Sequence, residues 1–266
     1  MKVAILGSGP SGMMASHAAS EYGAKISIFD SSPDKSRRNS GVYFLHDDCN
    51  LLLDSIKIRQ TILGINSLSE EQISEAYGLK VYGKLVSKVS ILNAIKNKEV
   101  SGYNAGQAIE RLWDLYKDHI NRQTISGLKD VEVLLDKYDK VISTIPARVL
   151  YPNYKYEHTV AWIKVGTSPK HEAFILYSVS PNHNWYRCSA MFGVFVMEYG
   201  YDYVPPAPSN NLTLDVYEYK KVIKVLGEGL MSTISDLFLV GRYGAWKKAT
   251  LTHDVFYEVL KWLEKN

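Results

Sequence analysis

The chain has 266 residues, 46% apolar, 22% charged and 12% aromatic, and its 31 basic and 28 acidic side chains leave a net charge of +3. That composition excludes a disordered polymer, and the length suits one or two domains. No window approaches the ~20 consecutive apolar residues of a membrane span, and so small a charge permits an anionic ligand without demanding nucleic acid. Cys49 and Cys188 are too few for a disulfide scaffold, so a reducing cytoplasm is the expected location. Gly7, Gly9, Pro10 and Gly12 interrupt the apolar amino terminus too early for a secretory signal. The 19 tyrosines suit a polar-edged pocket as well as a core.

In chain order, residues 2–6 form a short apolar run that reads as a buried parallel strand. Residues 11–22 carry Met14, Ala15, Ala18 and Ala19 at helical spacing, and Gly23 stops the helix. Residues 26–29 are a second strand ending at Asp30, which completes a βαβ unit. A polar loop spans 31–41. A helix is expected from Ser69, where Ser-Glu-Glu-Gln has the form of a capping box, and another over 103–119 with Ala108, Leu112, Leu115 and Tyr116 on one stripe. Residues 131–134 and 140–144 read as two strands. Antiparallel strands are expected over 156–203, where β-branched and aromatic residues alternate. A proline-stiffened connection covers 204–210, a last strand 237–240, and an amphipathic helix 252–264.

Gly7-Ser8-Gly9-Pro10-Ser11-Gly12 fits G-x-G-x-x-G between a strand and a helix. Its first glycine makes the turn, its second lets backbone approach a pyrophosphate, and its third lets helix and strand pack closely. The helix start offers free N–H groups and partial positive charge to phosphates. Asp30 is placed to bond a ribose hydroxyl, which favours FAD or NAD over NADP.

With Ala15 and Phe29-Asp30, this turn resembles the FAD signature of two-dinucleotide-binding-domain flavoproteins, in which Gly-Pro-x-Gly is typical. Asp236 to Gly244, with Gly241-Arg242 before aromatics, is similar to the Gly-Arg stretch of UDP-galactopyranose mutases. The resemblance implies noncovalent FAD with its ADP half on residues 7–12. It places Ser31, Arg38 (or Arg37) and Thr144 near the pyrophosphate, and Val131 or Val133 near the adenine. Gly241, Arg242, Leu251 and Thr252 are implied near the flavin, with His46 facing its ring from the 41–46 segment. His46 and Arg242 are then the catalytic candidates, whereas His253 is expected to be a satisfied first-turn histidine. The fold class implied is α/β, a Rossmann-like FAD domain with a parallel sheet, plus a region of helices and antiparallel strands. Residues 1–46, 120–150 and 225–266 would form the first, and 47–119 and 151–224 the second.

The middle of the chain is similar to small phage-encoded flavoproteins in Tyr82-Gly83, Trp185-Tyr186-Arg187 and Gly-Arg-Tyr-Gly-x-Trp-x-Lys. Some relatives of that kind accompany enzymes that elaborate DNA pyrimidines. Tyr82, Lys84, Trp185, Tyr186, Arg187, Tyr243 and Trp246 are therefore the substrate candidates, because planar and cationic groups stack on a base and clamp a phosphate. The partner expected is a small or nucleotide-linked substrate, with a DNA contact in view and no membrane. His46-Asp47-Asp48 has metal-ligand composition but reads as a loop start, so no metal is expected. The functional expectation is an FAD-dependent oxidoreductase of amine-oxidase type. A mutase without net redox, an NAD dehydrogenase and a non-catalytic dinucleotide binder stand beside it.

Overall fold

A computed structural model of the chain describes residues 1–33, 44–85, 91–96, 98–169, 171–205, 218–248 and 250–265. The elements run β1 (Lys2–Leu6), α1 (Pro10–Glu21), β2 (Lys25–Asp30), β3 (Phe44–Leu45), β4 (Ser55–Leu63), α2 (Glu70–Tyr82), α3 (Ile91–Lys96) and β5 (Glu99–Asn104). They continue with α4 (Ala105–Tyr116), β6 (Ile120–Arg122), α5 (Leu128–Leu135), β7 (Lys140–Ser143), α6 (Ala147–Leu150) and β8 (His158–Thr167). The last are β9 (Phe174–Ser178), β10 (Trp185–Met191), β11 (Val194–Tyr199), β12 (Glu218–Val225), β13 (Leu237–Leu239) and α7 (Asp254–Lys265). The chain divides into two compact units. The first holds Met1–Asp54, Tyr103–Glu157 and Val225–Asn266, the second Ser55–Gly102 and His158–Lys224. Residues 47–54, 103–119 and 151–157, assigned from sequence to the second region, thus fall in the first unit. No helix among the described residues is long and apolar enough to cross a membrane.

The first unit is built on the parallel sheet β13-β7-β1-β2-β6. Successive residues of β1 point to opposite faces, so Val3 and Ile5 join one core cluster, Ala4 and Leu6 another. The first cluster takes in α1, α4 and α7, the second α5 and α6. α1 begins with Pro10, whose fixed φ suits a first helical turn. Its Met14, Ala15, Ala18 and Ala19 are small or slender enough to pack against Val255, Phe256 and Val259 of α7.

Residues 131–134 are not a strand but part of α5. Val131 and Leu134, three apart, share the buried face, whereas Val133 is 55% exposed. The helix start is held by Asp130 Oδ2, which accepts Ser126 N–H at 2.6 Å and Ser126 Oγ–H at 2.7 Å. In α4, Leu115 lies off the buried stripe and is 54% exposed, while Ala108, Leu112 and Tyr116 are buried. The last helix starts at Asp254, two residues later than expected.

The second unit is a sheet in the order β12-β8-β11-β10-β9-β4-β5. β8, β11, β10 and β9 run antiparallel to one another, as their alternating pattern implies, and β4 joins β9 in parallel. The capping box at Ser69 and Gln72 starts α2, and Gly83 at φ +70° ends it. Tyr77 of α2 meets the rings of Tyr177 and Tyr186 edge-on at 6.0 and 5.7 Å.

A buried carboxylate organises this unit. Glu198 Oε2 accepts from Tyr186 OH at 2.5 Å and Lys224 Nζ at 2.6 Å, and Oε1 accepts from the Arg187 guanidinium. Arg187 and Lys224 hold its carboxyl well below the usual carboxylate range against the opposing effect of burial. Because the folded value is depressed, this stabilisation is full above about pH 4.3, the ordinary Glu value, and is lost as pH falls toward the folded one. Glu198→Ala strands two cations and is expected to cost about 3–5 kcal/mol. Urea unfolding of the variant at neutral pH measures it, and a midpoint equal to the native one would show that the network contributes nothing.

Candidate functional site

The glycine turn leaves β1 and enters α1 within the first unit. Gly7 N–H donates to Phe29 O at 2.8 Å, and Gly7 has φ +96°, a left-handed value glycine adopts freely. A Cβ on Gly7 would sit 2.9 Å from Thr144 Oγ1, and one on Gly12 would overlap Gly7 O. Gly9 differs, since nothing lies within 4 Å of its Cβ position. Gly9 is also the N-cap of α1 and supplies no side-chain cap. Pro10 has no N–H, and the N–H groups of Ser11 and Gly12 in this first turn have no intrahelical acceptor. The turn is therefore closed behind and open in front, with amide donors on the open side.

Asp30 closes one flank. Its Oδ2 accepts from Ser8 N–H at 2.7 Å and Ser8 Oγ–H at 2.5 Å, and its Oδ1 accepts from Ser32 N–H at 2.8 Å. Ser31 is exposed beside it. Thr144 closes the back, donating N–H and Oγ–H to Leu6 O at 2.9 and 2.8 Å. Arg37 and Arg38 lie outside the described residues.

The carboxy-terminal turn arrives at the same place. Gly241 has φ +84°, and a Cβ there would stand 2.7 Å from Ser11 Oγ and 3.9 Å from a Val255 methyl. A Cβ on Gly244 would overlap Val240 O and meet Ser143 O at 2.9 Å. Residues 7–12, 143–144 and 241–244, far apart in sequence, thus meet at backbone contact distance. Arg242 is half-buried, and no hydrogen bond or ion pair holds its guanidinium among the described residues.

Leu251 and Thr252 precede α7 rather than open it. The Leu251 N–H is already taken by Asp254 Oδ2 at 2.7 Å, so it is not a free donor. His46 is exposed and packs edge-on against Phe44 at 4.6 Å and His253 at 5.3 Å between ring centres. Burial and the neighbouring imidazole lower the His46 pKa, partly opposed by Asp254. His253 is buried, and its Nδ1 has no hydrogen-bond partner, contrary to the satisfied histidine expected from sequence. Val131 sits in the core with no exposed surface, and Val133 is on the outer face of α5, so neither occupies a strand end.

The expected substrate residues divide between the units. Tyr243, in the first, is 42% exposed. Trp246 is buried, with its indole N–H donated to Glu157 O at 3.1 Å and its ring against Tyr156, so it is a packing residue. In the second unit Tyr186 is 2% exposed, and Tyr186 and Arg187 are committed to Glu198. Trp185 stacks on His183 at 4.9 Å. Tyr82 is half-buried at the end of α2, and Lys84 is exposed just beyond it. Among the described residues no group of three or more His, Cys, Asp or Glu gathers to hold a metal ion. Among the described residues, Ser143, on the strand end expected to pass the pyrophosphate, and Thr250, which the sequence reading missed, have buried hydroxyls without partners.

The glycines separate structure from access. Gly12→Ala forces a methyl into Gly7 O and is expected to cost about 1–3 kcal/mol, the usual penalty of overpacking. Gly9→Ala adds a methyl to open space at an ordinary φ and should stay within about 0.5 kcal/mol. Urea midpoints of the two variants decide it, and equal losses would contradict the cradle geometry.

No protein-family model and no curated protein sequence matches this chain. Solved structures do. A reduced UDP-galactopyranose mutase is 13% identical with a TM-score of 0.58, over 99% of this chain and 94% of that one. An oxidoreductase from Methanosarcina mazei is 12% identical with a TM-score of 0.58, over 99% and 100%. A Klebsiella pneumoniae HpxO variant complexed with FAD is 11% identical with a TM-score of 0.51, over 98% and 79%. The chain has the α/β Rossmann-like fold of FAD-dependent oxidoreductases.

Proposed function

We propose that this chain is an FAD-dependent oxidoreductase that holds the dinucleotide on its first unit and oxidises a C–N bond of an amine or amino-acid-type substrate. The observation that carries the reading is the meeting of three segments at glycines 7, 12, 241 and 244, with Gly9 left open toward uncapped amides. This cradle fits a dinucleotide. The turn and the start of α1 would take the pyrophosphate through N–H groups and the helix dipole. Asp30 stands at the end of β2, where a carboxylate can accept from a ribose hydroxyl. The HpxO structure of the same fold carries FAD, which supports that dinucleotide over NAD.

When bound, FAD supplies the redox step by accepting the hydride equivalent of the C–H bond beside nitrogen. The protein's own task is to bind, orient and deprotonate. An amine must lose its ammonium proton before oxidation, and His46, shifted downward, is a neutral base in the same unit. The unpaired guanidinium of Arg242 matches a carboxylate, which favours an amino-acid-type substrate. Tyr186, Arg187 and Trp246 are engaged in packing and ion pairing, so those three lend no support to a nucleotide or DNA-base attachment of that substrate. A mutase acting on a nucleotide sugar without net redox is the second reading, favoured by the similarity to UDP-galactopyranose mutase over nearly the whole of both chains.

The test is flavin uptake. Purified protein incubated with FAD should become yellow and release FAD on heating. Gly9→Val should abolish uptake while the melting temperature stays within a few degrees, because the branched side chain enters the open side alone. Uptake unchanged by that substitution would remove the turn as a phosphate cradle. Anaerobic amine mixing then separates the two reactions: an oxidoreductase bleaches its flavin, whereas a mutase turns over its sugar only after prior reduction.

A further inference from the structure

Three buried side-chain atoms of the first unit lack a hydrogen-bond partner: Ser143 Oγ, Thr250 Oγ1 and His253 Nδ1. Thr250 and His253 stand three residues apart in the segment leading into α7, with residue exposures of 3% and 8%. A buried polar atom without a partner costs free energy and calls for an explanation. His17 supplies the contrast. Its Nε2–H donates to Cys49 O at 2.9 Å and its Nδ1 accepts from Tyr116 OH at 3.0 Å, so both nitrogens are met.

The surroundings of His253 define its state. Its Nε2 lies 3.6 Å from Asp254 Oδ1, which favours the Nε2–H tautomer and leaves Nδ1 as an acceptor. His46 stands beside it on a tightly tied segment. Cys49, Asn50 and Leu52 all have positive φ, and the carboxylates of Asp47 and Asp48 accept the Cys49 and Asn50 N–H groups. The titratable groups facing His253 are Asp254 on α7, His46 and Asp47 from the β3 side, and Cys49, whose thiol points at His253 O. Burial and the carboxylates of Asp47, Asp48 and Asp254 push the Cys49 thiol up to about 12, so it stays neutral. Burial lowers His253, and Asp254 and Asp47 oppose that only in part.

We propose that His253 is a neutral acceptor whose Nδ1 takes a hydrogen bond from a hydroxyl or N–H of the bound flavin nucleotide. The inference rests on the proposed function. The ribityl and ribose hydroxyls of FAD are donors in either redox state. Thr250 Oγ1, both donor and acceptor, offers a second contact from the same segment.

The test is FAD binding to the full chain, followed by flavin fluorescence across a pH series. Affinity should hold constant above the His253 pKa and fall as pH drops through it, because protonation removes the acceptor. His253→Leu should weaken binding about tenfold, the loss of one buried hydrogen bond, and flatten the pH profile. His253→Gln keeps an acceptor that does not titrate, so it should retain most of the affinity with an equally flat profile. Native affinity and a native pH profile in both His253 variants would overturn the inference while leaving FAD binding intact. A native chain that takes up no FAD at any pH would overturn the proposed function itself.

Discussion

The first unit depends on close packing at glycines where no side chain can stand. Gly12 lies on the carbonyl of Gly7, Gly241 on Ser11, and Gly244 on the carbonyls of Val240 and Ser143. These contacts bring the start of α1, the end of β7 and the approach to α7 into one corner. The parallel sheet makes the meeting possible, since β1, β7 and β13 are neighbours and all deliver their carboxyl ends to the same edge. In open α/β sheets that edge is where ligands bind. Gly9 is the exception that gives the corner a use: it is spared all such contacts, and its neighbours' amides face outward without acceptors.

The two units treat buried polarity differently. In the second, Glu198 is deeply buried yet fully met by Tyr186, Arg187 and Lys224, the arrangement that makes a buried charge tolerable. Such a network is closed, and a ligand could engage it only by breaking bonds already made. In the first unit, Ser143, Thr250 and His253 lie next to or between the converging turns and are unmet. An unmet hydroxyl alone is weak evidence, since Ser168 of the second unit is also without a partner. It is the coincidence of unmet groups with the open glycine turn that supports the proposed dinucleotide site in the first unit.

Much of this was legible in the residues. The β1–turn–α1–β2 unit combines a run buried on both faces, three glycines with separate steric duties, and an acid at the next strand's end. Each signal is local, so sequence spacing and spatial spacing agree. α5 was not legible, because Val-Glu-Val-Leu alternates like a strand. The helix is decided by the Ser126–Asp130 bond and by the pairing of Val131 with Leu134 on one face. β4 hid for the opposite reason: Ile56, Ile58, Gln60 and Ile62 do alternate, but buried Gln60 breaks the apolar pattern and bonds Tyr177 OH at 3.4 Å. Tyr186-Arg187 read as a ligand clamp because its true partner, Glu198, is set by the β10–β11 register, bulged at this point.

His253 shows where sequence reasoning ends. A buried histidine ordinarily finds a carbonyl or hydroxyl, as His17 does with Cys49 and Tyr116. Whether it does is decided by which atoms the fold places opposite each nitrogen, and no local pattern encodes that. Here Asp254 stands near Nε2, and among the described residues nothing meets Nδ1. The same segment carries Thr250, also unmet, and borders the contact of Gly241 with Ser11 and Val255. A ligand that met those atoms would bind the folded chain and so stabilise it.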